Sequence, residues 1–140
     1  MSDQKTVDLW PRDFTTIVDD PAPVVLLKQQ AELLSGKTGG RVEGIVREST
    51  VEGTFYASLY FRSPSLGDSM YKVLHIALPV TLDPLHPFPL TVNDSCEPSE
   101  TVVTDMEDFK EWLKSVLSSE KVGAIVGNLI KYSSKRTIAS

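Results

Sequence analysis

The sequence predicts an α+β domain in which a roughly four-stranded antiparallel meander packs with one N-terminal helix and two C-terminal helices. Three observations carry this. Thr54 to Arg62 alternates in character, with Phe55, Ala57, Leu59 and Phe61 on one side and Tyr56, Ser58, Tyr60 and Arg62 on the other, the period of a pleated strand. Apolar residues recur at helical spacing before Gly36 and again after Thr104. Between those stretches, Gly and Pro punctuate short runs of strand character.

The elements follow in order. Residues 1–19 read as an N-terminal extension that is partly docked, because Trp10, Phe14, Ile17 and Val18 are too apolar for a purely solvated tail. Trp10 has a second reading as an anchor on a partner. Residues 20–132 form one domain, and residues 133–140 read as a frayed tail. The first helix opens at Asp20-Pro21-Ala22-Pro23, where Asp20 accepts from an orphan amide and Pro21 suits the first turn. Val24, Leu27, Ala31 and Leu34 give its stripe, widened by Leu26 and Leu33, and Gly36 is its stop.

Strand one is expected over Arg41 to Ser49, with Val42, Gly44 and Val46 facing one way and Glu43, Ile45 and Arg47 the other. Glu52-Gly53 forms the turn into strand two, Thr54 to Arg62. Strand three, Met70 to Leu78, places Val73 and Ala77 on one face and Leu74, Ile76 and Leu78 on the other. Two apolar faces predict an interior strand covered on both sides. A short strand four, Leu90 to Val92, follows Pro87 and Pro89 and is expected at an edge, because proline cannot donate to a ladder.

Asn93 to Val103 reads as a polar loop. Thr104 with Glu107 three residues later suggests a reciprocal cap for the second helix, whose stripe is Phe109, Trp112, Leu113, Val116 and Leu117. Ser119 is a candidate cap for the last helix, with Val122, Ile125, Val126, Leu129 and Ile130 as its stripe. Gly123 and Gly127 weaken that helix by about 1 kcal/mol each, and their spacing allows close approach of another element.

The bulk properties restrict function. A chain of 140 residues buries roughly two-thirds of its unfolded surface and needs no metal or disulfide staple. With 19 acidic and 14 basic residues the net charge is −5, which gives no broad attraction to phosphate. Arg41, Arg47, Arg62 and Lys72 are diluted by intervening acids, so nucleic acid is not an expected partner. Nor is a membrane, since no run approaches the ~20 apolar residues of a span. The single cysteine, Cys96, excludes an intramolecular disulfide and suits a reducing, cytoplasmic setting. The first eight residues lack the basic start and apolar run of a secretory signal.

Chemical motifs are weak. Gly36-Lys37-Thr38 resembles the end of a phosphate-binding loop, but Ala31 stands where its first glycine belongs, and the segment lies between a helix and a strand in the wrong order. His75, His86 and Cys96 have none of the close spacing of metal ligands. Acidic neighbours raise the pKa of Cys96, which opposes thiolate chemistry. Ser-based hydrolysis lacks its Gly-x-Ser-x-Gly elbow. Asp105, Glu107 and Asp108, like Asp19 and Asp20, are accounted for by helix capping. No catalytic residue, cofactor or metal is therefore assigned.

What remains is a surface. Tyr56, Tyr60 and Arg62 share one face of strand two, with Ile45 beside them, and tyrosine and arginine supply area with polar tips at interfaces. If the three helices stack on one side of the sheet, the other side needs a partner. The expected function is a non-enzymatic protein-interaction or accessory module of the adaptor, chaperone-like or immunity-like kind, docking on another protein or on its own copy. The alternative is a small-ligand domain or enzyme with a pocket between sheet and helices, served by His75, Tyr71 and Tyr56.

Overall fold

The computed structural model describes residues 7, 9, 22–67, 69–79, 88–95 and 100–139, with side chains as far as Ser133. Its elements are α1 (Ala22–Lys37), β1 (Glu43–Val51), β2 (Thr54–Arg62), β3 (Met70–Pro79), β4 (Leu90–Asp94), β5 (Glu100–Val103), α2 (Met106–Leu117) and α3 (Glu120–Ala139). The five strands form an antiparallel meander in sequence order. The chain is thus an α+β domain with one helix before the sheet and two after it. Trp10, Asp19, Asp20, Pro21, His86, Pro87 and Cys96 lie outside the described residues, as does nearly all of the expected N-terminal extension.

Helix α1 presents Val24, Leu27 and Ala31 to the core, while Leu33 is 52% exposed. Its end explains the Gly-Lys-Thr motif. The Thr38 hydroxyl lies within 3.0 Å of the carbonyls of Leu34 and Val42, and it accepts from the Val42 amide at 3.1 Å. Gly39 and Gly40 take positive φ values of 62° and 79°, and the Gly40 amide donates to the Ser35 carbonyl at 2.8 Å. The motif is a helix stop whose hydroxyl is already engaged by the backbone.

The chain returns as β1, where Gly44 is a contact point. A Cβ on Gly44 would lie 2.6 Å from the Ala31 Cα and 2.8 Å from its carbonyl oxygen, so α1 rests on bare β1 backbone. Glu52 and Gly53 both take positive φ, the conformation of a tight hairpin turn that matches strand twist.

Regularity fails in β3. Leu59 pairs with Leu74, but Tyr60 pairs with Lys72, so Val73 is an extra residue at a bulge. Val73 and Leu74 are adjacent, and both are 0% exposed. Beyond the bulge the parity inverts. Tyr71 pairs with the helix-side Phe61, whereas Lys72 joins the row of Tyr60.

Two expectations need correction at the far edge. β4 is interior, because β5 pairs along its outer side; Pro89 precedes the strand and leaves its ladder intact. The segment read as a polar loop contains β5, whose first three residues are all exposed, so burial leaves little trace in its sequence. The α2 cap is displaced by one residue. Asp105 is the cap and accepts from the Asp108 amide at 2.8 Å, while the Thr104 hydroxyl donates to the Asp108 carboxylate at 2.8 Å. Ser119 caps α3 by accepting from the Val122 amide at 3.2 Å.

The helix of α3 continues through the residues expected to fray, as far as Ala139. The Ser133 hydroxyl meets that of Ser65, in the 3-10 turn Pro64–Leu66 that follows β2. Neither Gly123 nor Gly127 has an atom within 4 Å of an added Cβ, so no described element approaches them closely. Gly127→Ala is accordingly expected to stabilise the fold by about 0.5–1 kcal/mol, read as a higher urea midpoint at constant slope.

The core lies on one side of the sheet. The helix-facing rows, including Ala57, Leu59, Phe61, Leu74, Ile76, Leu78, Leu90, Val92 and Val103, meet Val24 and Leu27 of α1, Phe109, Leu113 and Val116 of α2, and Val122 of α3. Helix α1 packs over β1 and the near part of β2, α2 packs on β5 and α3, and α3 reaches the 3-10 turn. No described helix lies against the opposite face.

Candidate functional site

That opposite face is built by strand register. Antiparallel partners project to the same side, so four cross-strand rows can be read directly. Glu43, Arg62 and Met70 form the first; Ile45, Tyr60 and Lys72 the second. Arg47, Ser58, His75, Asn93 and Glu100 form a third that crosses all five strands. Ser49, Tyr56, Ala77, Thr91 and Val102 form the fourth. Neighbours within a row stand about 4.5–5.5 Å apart.

The structure therefore brings Tyr56, Tyr60, Arg62 and Ile45 together, all half-buried. Arg62 is held by Glu43, with Nη2 3.3 Å from the carboxylate, while its Nε is buried without a hydrogen-bond partner among the described residues. His75 and Tyr71 are separated. The bulge places His75 on the open face and Tyr71, 49% exposed, in the helix-side row. They share strand parity in the sequence, and Val73 breaks it.

The open face is also less apolar than its expected composition. Val73, assigned to it by simple alternation, is the fully buried bulge residue. The uncharged groups of this face include Ile45, Ser58, Tyr56, Tyr60, His75, Ala77 and Thr91. Its charges are Lys72 on the central strand β3, Arg62 on β2 held by Glu43 on β1, and Arg47 and Glu100 at the two ends of the long row.

His75 sits against Tyr56 in an edge-on ring contact with centroids 6.0 Å apart. Its Nδ1 is buried with no hydrogen-bond partner among the described residues. Burial and then the Lys72 ammonium lower its pKa below the ordinary 6.5, partly opposed by Glu100. The folded state thus binds this proton more weakly than the unfolded state does. The contribution of His75 to stability is complete above pH 6.5 and declines as the pH falls through 6.5 toward the lower folded value. The melting temperature should be flat at neutral pH and fall on acidification from about 6.5, and His75→Gln should flatten that slope.

Two depressions lie on the helix side. A cavity of about 370 Å³ is bounded by Ala31, Leu34, Leu59, Phe61, Val122 and Val126. A more open one of about 600 Å³ lies among Leu26, Leu113, Lys110 and Lys114. Space between sheet and helices therefore exists, but its walls include neither His75 nor Tyr71. Its residues read in the sequence as ordinary core, which is why composition and spacing did not reveal it. Among the described residues no group of three or more His, Cys, Asp and Glu side chains is placed to hold a metal ion. Among them, too, no helix is long and apolar enough to cross a membrane.

Fold and surface together define an α+β domain whose antiparallel sheet is backed by three helices on one side and carries, on the other, a tyrosine-bearing face that no described helix covers. No family model, curated protein or solved structure matches the chain.

Proposed function

We propose that the chain is a non-enzymatic protein-interaction module that docks through its open sheet face, with a second copy of itself as the first partner. One observation carries this reading. The face groups Tyr56, Tyr60, Ile45 and Ala77 with small polar residues on the side of the sheet that no described helix covers, and its long row ends in Arg47 and Glu100, charges of opposite sign that suit the rim of a contact patch. A solvated sheet face more commonly carries polar residues along its whole length.

The polarity of the long row also favours one arrangement. In a two-fold dimer each patch meets its own copy. An axis parallel to the strands stacks β1 of one copy over β5 of the other, so that Arg47 faces the partner's Glu100. An axis along the rows stacks β1 on β1, and two Arg47 guanidinium groups then oppose each other. Both arrangements keep the strands of the two sheets aligned, as face-to-face packing requires, so the facing charges select the first. The reducing, cytoplasmic setting expected from a single cysteine accompanies this reading.

Light scattering coupled to size exclusion tests it. The wild-type chain should run at twice its monomer mass, and Tyr60→Arg should run as a monomer with unchanged helical circular dichroism. Arg47→Glu should weaken the dimer about tenfold, and adding Glu100→Arg to the same chain should restore it. A wild-type chain that stays monomeric at high concentration, or a double reversal no better than the single one, defeats the proposal.

A further inference from the structure

The helix side carries a separate feature. Helix α1 packs over β1, α2 packs over β5, and the two leave a valley between them above the middle of the sheet. Both depressions open into this valley and share Gln30, Lys37 and Leu117. The smaller cavity has only Gln30 and Lys37 as polar side chains in its lining. The larger is bordered by Lys37, Lys110 and Lys114, with no carboxylate among its lining residues. None of these lysines makes an ion pair among the described residues. In a chain with 19 acidic and 14 basic residues, three unpaired ammonium groups beside an apolar trough are a selective arrangement. The smaller volume falls in the usual range for small-molecule sites, which are concave, mostly apolar and oriented by a few polar groups.

We infer that the valley between α1 and the α2–α3 pair binds an amphiphilic carboxylate of the fatty-acid type. The hydrocarbon tail lies over Leu59 and Phe61 between Ala31 and Val126, where no polar side chain would need to be desolvated. The head group meets Lys37 at the junction of the two depressions, with Lys110 and Lys114 adding to the local positive field. Two adjoining depressions that share Gln30, Lys37 and Leu117 suit a linear chain, and the lysines select an anionic head over a neutral or cationic one. This site is on the opposite side of the sheet from the tyrosine face, so each stands or falls alone.

Laurate is the probe. Titration calorimetry with the full chain should show saturable binding, with amide resonances of Ala31, Val122 and Val126 shifting and that of Tyr60 unmoved. Dodecyltrimethylammonium, which has the same tail and an opposite head, should not bind. Lys37→Glu with Lys114→Glu should weaken laurate at least about tenfold. Gly123 lines the cavity and has open space around an added Cβ, so Gly123→Leu should fill the cavity, preserve the helical signal and abolish binding. Tyr60→Arg should leave laurate binding unchanged. Absence of saturable laurate binding, equal binding of the cationic amphiphile, or full binding by the double lysine variant overturns the inference. Two further patterns overturn it: capture by phosphatidylglycerol vesicles without binding of free laurate, and a response to an acidic amphipathic peptide but not to laurate.

Discussion

Gly44→Ala should cost about 3 kcal/mol or more, at the upper end for overpacked interiors. The added methyl would sit 2.6 Å from the Ala31 Cα, 2.8 Å from its carbonyl oxygen and 2.9 Å from its Cβ. Two of these three are backbone atoms, so no change of side-chain rotamer relieves them and α1 must move off β1. Removing the Ala31 methyl relieves only the third contact. Ala31→Gly in the Gly44→Ala background should therefore recover little, and it adds the helix cost of glycine, about 1 kcal/mol. Gly36→Ala is the control, since nothing lies within 4 Å of its added Cβ. Urea denaturation measures all three. A Gly44→Ala chain within 1 kcal/mol of wild type would show that α1 does not rest on β1 as described. Because α1 forms one wall of the lysine-bordered valley, the same substitution should also alter laurate binding.

Phe109→Ala should be comparably severe, at about 3–5 kcal/mol. Phe109 is 0% exposed and stacks on Trp112 with centroids 6.2 Å apart. Its removal leaves a cavity beneath α2, where that helix meets the sheet. Against a typical domain stability of about 5–15 kcal/mol, such a loss brings the chain close to unfolding at moderate temperature. Phe109→Leu keeps much of the apolar volume and should recover over half of the loss. If alanine costs under 1 kcal/mol, α2 is not anchored through this ring.

Legibility varied along the chain for physical reasons. β2 could be read residue by residue because it keeps a strict period of two over its whole length, and its tyrosine face emerged intact. β3 could be located but not oriented. Val73 and Leu74 are both apolar and both buried, and a run of such residues looks the same with or without a bulge. That single inserted residue moved Tyr71 to the other face and separated it from His75. β5 escaped because four residues hold too few periods to count, three of them exposed. The cap of α2 shifted by one position because Thr104 and Asp105 are both competent caps, and only the closing geometry of Asp108 selects between them. Leu34, Leu59 and Val126 read as core, yet they border a cavity, since hydrophobicity reports a preference for burial and not how completely the space is filled.

The sequence by itself determined the α+β class, the order and type of most elements, and the composition of the tyrosine-bearing face of β2, because local periodicity and turn chemistry act within a few residues. Tertiary structure alone decided that all three helices share one side of the sheet, that a bulge reverses the first part of β3, and that Arg47 and Glu100 end the same row. It also decided that a lysine-bordered valley remains between α1 and the α2–α3 pair. Those features depend on how surfaces distant in the chain fit against one another, and no window of sequence contains that fit.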